Sequence, residues 1–328
     1  MMKKKLYVAM AGLVGLAFGL GQAQAADVVL KFAHEAPATA IKGRSADKLA
    51  ELADKYSNGT VKINVFPGGQ LVPTTEEIRA AVRGQVDIIA PYTSYYSAID
   101  SAWDIFYQPM LFKSPEHAMK VFAGPIGLEL LGNLDQRGLK GLSIWHDGPV
   151  YVFTKGAPAL MPENLKGWKM RVAPSKPLEM MLGKAGATSI SMPATEVYLA
   201  LQQGVANGVV STPTYAAPAR WGEVLTSMTR SLWGVGGYAL TINKASWAKL
   251  DASQQEALTR AIKDSEKWNH EQTIENIRAS EAALVAGGMK ISDLTPEQRD
   301  AWVAIAKDVW ASGSDTMKKT IADVQKAQ

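Results

Sequence analysis

Hydrophobic and polar positions change period repeatedly along the first third of the chain. Val28 to Ala33 alternates and is rich in β-branched residues, the period of a strand. From about Ile41 to Tyr56 the apolar positions recur at helical spacing and stop at Asn58-Gly59. Val61 to Phe66 predicts a second strand, Pro67-Gly68-Gly69 a turn, Thr75 to Arg83 a helix closed by Gly84, and Val86 to Ala90 a third strand. Strand and helix alternating in this way predict parallel crossover units, whose ligands sit beyond the carboxyl ends of the strands.

A second α/β unit is predicted over about 150–235. Gly141 to Trp145 and Val150 to Thr154 read as strands meeting at His146-Asp147-Gly148, and Lys169 to Val172 as another. Pro193-Ala194-Thr195-Glu196 opens a helix through Gln203, stopped by Gly204, with Gly208 to Ser211 as the strand behind it. Asp251 to about Ala286 has no proline and keeps Leu258, Ala261, Ile262, Ser265 and Trp268 at helical spacing, with Asp251 and Gln254 placed as a capping box. Such a helix would run roughly 50 Å at 1.5 Å per residue, more than one small lobe needs, so it can brace two. The alternative is two ordinary helices broken near Asn269-His270.

Met1 to Ala25 stands apart: Lys3-Lys4-Lys5, an uncharged apolar stretch from Leu6 to about Leu20, then Ala23-Gln24-Ala25. This is the pattern of a cleavable secretory signal, and its apolar core is short for a span of about 20 residues. Cleavage after Ala25 leaves 303 residues, and removing the three lysines from 35 basic residues leaves 32 against 31 acidic. That balance carries no nucleic-acid footprint. With 47% hydrophobic residues over this length, two cores are expected. The chain has no cysteine, which excludes disulfides, thiolate metal sites and a cysteine nucleophile.

Catalytic patterns are sparse. His34, His117, His146 and His270 never take the paired spacing of a helical zinc site, and no nucleophile elbow or phosphate loop occurs. Gly234-Val235-Gly236-Gly237-Tyr238-Ala239 fits a loose dinucleotide pattern, but Leu240-Thr241-Ile242 after it reads as a strand, whereas the fingerprint needs a helix N-terminus. A secreted hydrolase or lyase using His146-Asp147 or Glu196 would lack a nucleophile or metal.

Leu165-Lys166-Gly167-Trp168-Lys169-Met170-Arg171-Val172, followed by Thr195 to Gly204 and Asn207-Gly208-Val209, resembles the DctP-type solute receptors of tripartite ATP-independent periplasmic (TRAP) transporters. Leu30 to His34, Phe66 to Leu71 and Arg83 to Asp87 extend the resemblance over essentially the whole mature chain. It implies an α/β, two-lobed periplasmic binding protein fold with central sheets, an interlobe cleft and a long helix shared by both lobes. The lobes would be discontinuous: 26–148 plus about 237–270 for lobe I, and 149–236 plus about 271–328 for lobe II, with the helix at about 252–286. The implied activity is capture of a small organic carboxylate in the periplasm for TRAP membrane permease subunits, by a monomer, without catalysis or cofactor. A receptor for an ABC importer is the neighbouring alternative.

Arg171, at the end of a buried strand in a cleft, offers a planar fork that pairs bidentately with a carboxylate. The resemblance also implies ligand positions at Glu35, Tyr92, Tyr95, Trp145, His146, Thr212 and Tyr215, Thr212 standing where many relatives carry Asn. At Val150 many relatives carry a second arginine in a Gly-x-Arg context. Its loss removes the partner of a second carboxylate, which points to a monocarboxylate with an apolar or aromatic body.

Overall fold

The computed structural model describes residues 27–327, so Met1 to Ala25, read above as a cleavable secretory signal, lies outside the described residues. In chain order the regular elements are β1 (Val28–Ala33), α1 (Ile41–Tyr56), β2 (Val61–Phe66), α2 (Glu77–Val82), β3 (Ile88–Ile89), α3 (Pro115–Ala123), α4 (Pro125–Asn133) and β4 (Leu139–Thr154). They continue as β5 (Lys169–Val172), α5 (Lys176–Lys184), β6 (Thr188–Ser191), α6 (Val197–Gln202), β7 (Gly208–Ser211), α7 (Pro213–Ala216) and β8 (Ser227–Asn243). After β8 come α8 (Lys244–Ala248), α9 (Ala252–Ala286), β9 (Lys290–Asp293), α10 (Pro296–Ala311) and α11 (Asp315–Lys326).

The sheet runs β2-β1-β3-β8-β4-β7-β5-β6, with β9 added beside β8. At one end β2, β1 and β3 are parallel, and at the other β6, β5 and β7 are parallel. Between them β4 and β8 pair antiparallel over most of their length and cross from one lobe to the other. The two strands expected on either side of His146-Asp147-Gly148 are therefore one 16-residue strand. Its long partner supplies hydrogen bonds throughout, so the change of direction is absorbed by register shifts at 141/143, 146/148 and 150/152. β3 is shorter than its apolar run; just before it Asp87 N donates to Lys31 O at 3.0 Å, Asp87 O accepts from Asn243 N at 2.8 Å, and the Asp87 carboxylate accepts from Lys31 N at 2.7 Å and Ser246 Oγ at 2.5 Å.

Two apolar cores result. The smaller packs Leu30, Phe32, Leu49, Ile88, Leu240 and Leu258 between the first three strands and their helices. The larger joins Met170, Val172, Leu182, Leu201 and Val209 to an aromatic group in which Phe106 and Phe122 stack with centroids 3.6 Å apart.

Helix α9 is continuous over 35 residues, with Asp251 accepting from Gln254 N at 2.9 Å and Gln254 returning the capping-box bond. Its amphipathic side packs on α1, β4 and α7, so it spans both ends of the sheet. The polar break considered at 269–270 is a fastening point: buried Asn269 accepts from His146 N at 2.7 Å and donates to His146 O and Ser45 Oγ, both at 3.1 Å. Two of those bonds tie the helix to the crossing strand and the third ties it to α1.

Candidate functional site

The carboxyl ends of the parallel strands in both lobes converge on one cavity. Glu35 follows β1, Tyr92 and Tyr95 follow β3, Arg171 and Ala173 sit at the end of β5, and Ser211 closes β7. Thr74, Tyr107, Asp147, Val150, Leu178, Ala194, Val210 and Tyr215 complete the lining, around about 480 Å³ counted to the open mouth. This is the crevice position expected of parallel α/β sheets, here doubled.

Arg171 is 3% exposed. The period of the strand sends it to the face opposite Met170 and Val172. Its Nε and Nη2 both donate to Met192 O, at 3.0 and 2.7 Å. One edge of the guanidinium is thus pinned, leaving the Nη1 side and one Nη2 hydrogen for a second partner. Burial presses its pKa below the ordinary value, and no carboxylate pairs with it among the described residues.

Glu35 is paired with Lys42, both almost fully buried. Lys42 lies 4.5 Å from the centroid of the Tyr238 ring. Behind them Glu77 is fully buried with neither carboxyl oxygen hydrogen-bonded, and burial raises its pKa well above the usual range despite the attraction of Lys42. Cavity tyrosines Tyr92, Tyr95, Tyr107 and Tyr215 all have phenol pKa values raised, first by burial, so they present neutral hydroxyls.

Asp147 is the residue that sequence reasoning about the ligand left out. Across the shift in register, His146 and Gly148 face consecutive residues Gly237 and Gly236 of β8, so Asp147 is the extra residue of a β-bulge. Its carboxylate lines the cavity and accepts from Thr212 Oγ1 at 2.6 Å and Thr214 Oγ1 at 2.7 Å. Thr212 therefore stands behind Asp147. Beneath them β8 passes with glycine: a Cβ on Gly236 would lie 2.5 Å from Tyr92 Oη and 2.8 Å from Thr212 Cγ2. Only the Asp-Gly pair at 147–148 signalled a local irregularity in the sequence.

The structure brings Arg171, Glu35, Tyr92, Tyr95 and Tyr215 together on the cavity. Trp145 and His146 lie elsewhere. Trp145 is fully buried in the smaller core, its ring 6.1 Å from that of Phe32. The His146 ring lies 4.6 Å from that of His270, and His146 lines a separate small hollow with Gly148 and Thr273.

His34, fully buried at the end of β1, has a pKa pulled down to about 3 by burial and then by the charge of Lys42. The unfolded chain, at 6.5, binds more protons across that interval. Its stabilising contribution is therefore complete above pH 6.5 and is lost as pH falls towards 3, at up to about 1.4 kcal/mol per pH unit. His34→Asn should flatten the pH dependence, so the stability gap between wild type and variant, measured by urea unfolding, should change between pH 7 and pH 5. A gap that stays constant would mean His34 does not titrate differently on unfolding.

No described helix is long and apolar enough to cross a membrane. The family model of bacterial extracellular solute-binding proteins, family 7 (DctP), matches residues 32–316. The C4-dicarboxylate-binding periplasmic protein DctP of Rhodobacter capsulatus is 33% identical, the match covering 100% of this chain and 99% of the relative. Among solved structures, a TRAP periplasmic solute-binding protein from Shewanella oneidensis with bound succinate superimposes with a TM-score of 0.88 at 26% identity, covering 92% of this chain and 99% of the other. One from Sulfurospirillum deleyianum, also with succinate, gives 0.86 at 29% identity, covering 92% and 100%.

Proposed function

This chain belongs to bacterial extracellular solute-binding protein family 7, and we propose that its interlobe cavity holds one carboxylate of a small organic acid on Arg171 for delivery to TRAP permease subunits. The chain is a TRAP solute receptor for small organic acids, of a two-lobed α/β class. The observation that carries the carboxylate assignment is the half-used guanidinium: two of its donors are spent on Met192 O and its remaining edge lines the cavity. In this reading Glu35, Tyr92, Tyr95 and Tyr215 touch the ligand, Thr212 acts through Asp147, and Trp145 and His146 stiffen the wall and the crossing strand. Lobe I comprises 26–148 with about 237–270, lobe II comprises 149–236 with about 271–328, and the ligand favours the state in which they close on it.

The same reading makes the ligand a monocarboxylate with an apolar or aromatic body. Val150, Leu178, Ala173, Ala194 and Val210 supply an apolar wall, and Arg171 is the one lining cation without a carboxylate partner among the described residues. A second ligand carboxylate would face that wall or the acids, and an unpaired buried charge costs several kcal/mol. The relatives with bound succinate favour the competing reading, in which tyrosine hydroxyls take the second carboxylate. Calorimetry of branched and aromatic monocarboxylates against succinate, malate and fumarate in one buffer separates the two. Monocarboxylates should bind at least tenfold more tightly, and the reverse order would remove the inference from Val150.

A further inference from the structure

Two charges of opposite sign line the cavity with no counter-ion. Arg171 has Met192 O and no carboxylate; Asp147 has two threonine hydroxyls and no cation among the described residues. They do not pair with each other, and both are almost wholly buried, at 3% and 1% exposed. The other lining acid, Glu35, is already neutralised by Lys42. Glu77 lies behind that pair and is not among the residues lining the cavity; burial raises its pKa.

From this we propose that the natural ligand is an amino or quaternary-ammonium monocarboxylate, its carboxylate on Arg171 and its cationic nitrogen beside Asp147. The proposal rests on the single-carboxylate reading above and adds the nature of the other end. Asp147 is built to be an anion. Each of its oxygens has a hydroxyl within hydrogen-bond distance, Oδ2 that of Thr212 and Oδ1 that of Thr214, an arrangement in which an ionised carboxylate can accept from both. Burial raises its pKa, and those two hydroxyls work against that rise. A buried carboxylate kept ionised without a cation is costly, and a ligand ammonium would relieve the cost on binding. The surroundings suit such a group. Tyr92 and Tyr215 are close enough to Asp147 for its charge to act on both phenols, and aromatic rings beside carboxylates attract ammonium ions. A dianion would bring two negative charges to a cavity whose own unpaired charges sum to zero. An ammonium carboxylate adds one of each sign, next to its opposite.

The test is calorimetry of the purified protein at pH 7 with matched acids: valine, isovalerate and 2-hydroxyisovalerate; phenylglycine, phenylacetate and mandelate; glycine betaine; and succinate. The amino acid of at least one set, or the betaine, should bind at least tenfold more tightly than any neutral-bodied acid. In Asp147→Asn, which keeps the shape and one of the two acceptors and leaves the other threonine hydroxyl to accept from the amide nitrogen, that ratio should fall towards one. Deaminated or hydroxy acids that match the ammonium acids overturn this assignment while leaving the single-carboxylate reading intact. Succinate as the tightest ligand overturns that reading as well. A ratio unchanged in Asp147→Asn removes Asp147 as the partner, and the wild-type series decides even if the variant does not fold.

Discussion

Arg171→Ala should weaken capture of the organic acid by roughly 30-fold to several-thousand-fold, the equivalent of about 2 to 5 kcal/mol for truncating one partner of a buried, charge-assisted pair. The loss has two sources. The ligand carboxylate forfeits a bidentate partner, and it is left in a cavity whose remaining charged groups are acidic or already paired. Arg171→Lys should recover little, because an ammonium cannot hold Met192 O and both carboxylate oxygens in one plane. The fold itself should survive: Arg171 contributes no ion pair, and its burial disfavours the charge it carries. Calorimetry reads the affinity and circular dichroism the fold. A loss below threefold with a normal spectrum would take Arg171 out of the site.

Lys42→Met should cost about 3 to 5 kcal/mol of folding stability, since removing one member of a buried pair strands the other. Lys42 is wholly buried and Glu35 nearly so, and the methionine fills most of the space of the lysine stem. For a chain of this size the thermal midpoint should fall on the order of 10 °C. Replacing both partners, Lys42→Met with Glu35→Gln, should recover most of that loss, because no bare charge remains. Urea unfolding of the two single variants and the double variant gives the coupling directly. A single-variant cost under about 1 kcal/mol would show that Glu35 finds another partner or water when Lys42 is gone.

These two cations were unequally visible beforehand. Arg171 belongs to a long, ordered motif, and its place at the end of a short apolar run is a local property. Lys42 sits in the first turn of α1, where a lysine is ordinarily solvated, and only the fold of β1 back beside α1 buries it against Glu35. Asp147 falls between the cases. Its Asp-Gly pair reads as a turn, and pairing with β8 turns that irregularity into a bulge that aims the carboxylate at the cavity. Trp145 and His146, two steps and one step before it, are carried into the core and against α9 by the same strand.

What the amino-acid order determined by itself is the set of features that depend on near neighbours. The strand and helix periods of β1, α1, β2, β5 and β7, the capping box that starts α9 and the absence of a breaker across its 35 residues all follow from side chains a few positions apart. Tertiary structure alone decided that β4 and β8 are single crossing strands, that β3 keeps only two paired residues, and that strand ends from both lobes meet around one arginine and one bulged aspartate. Hydrogen-bond partners for a strand come from distant segments, so register, bulges and the direction of each side chain near the crossing are set by pairing. The charge state of the cavity is likewise a sum over residues far apart in the chain, and burial, which no local pattern encodes, sets how much each charge matters.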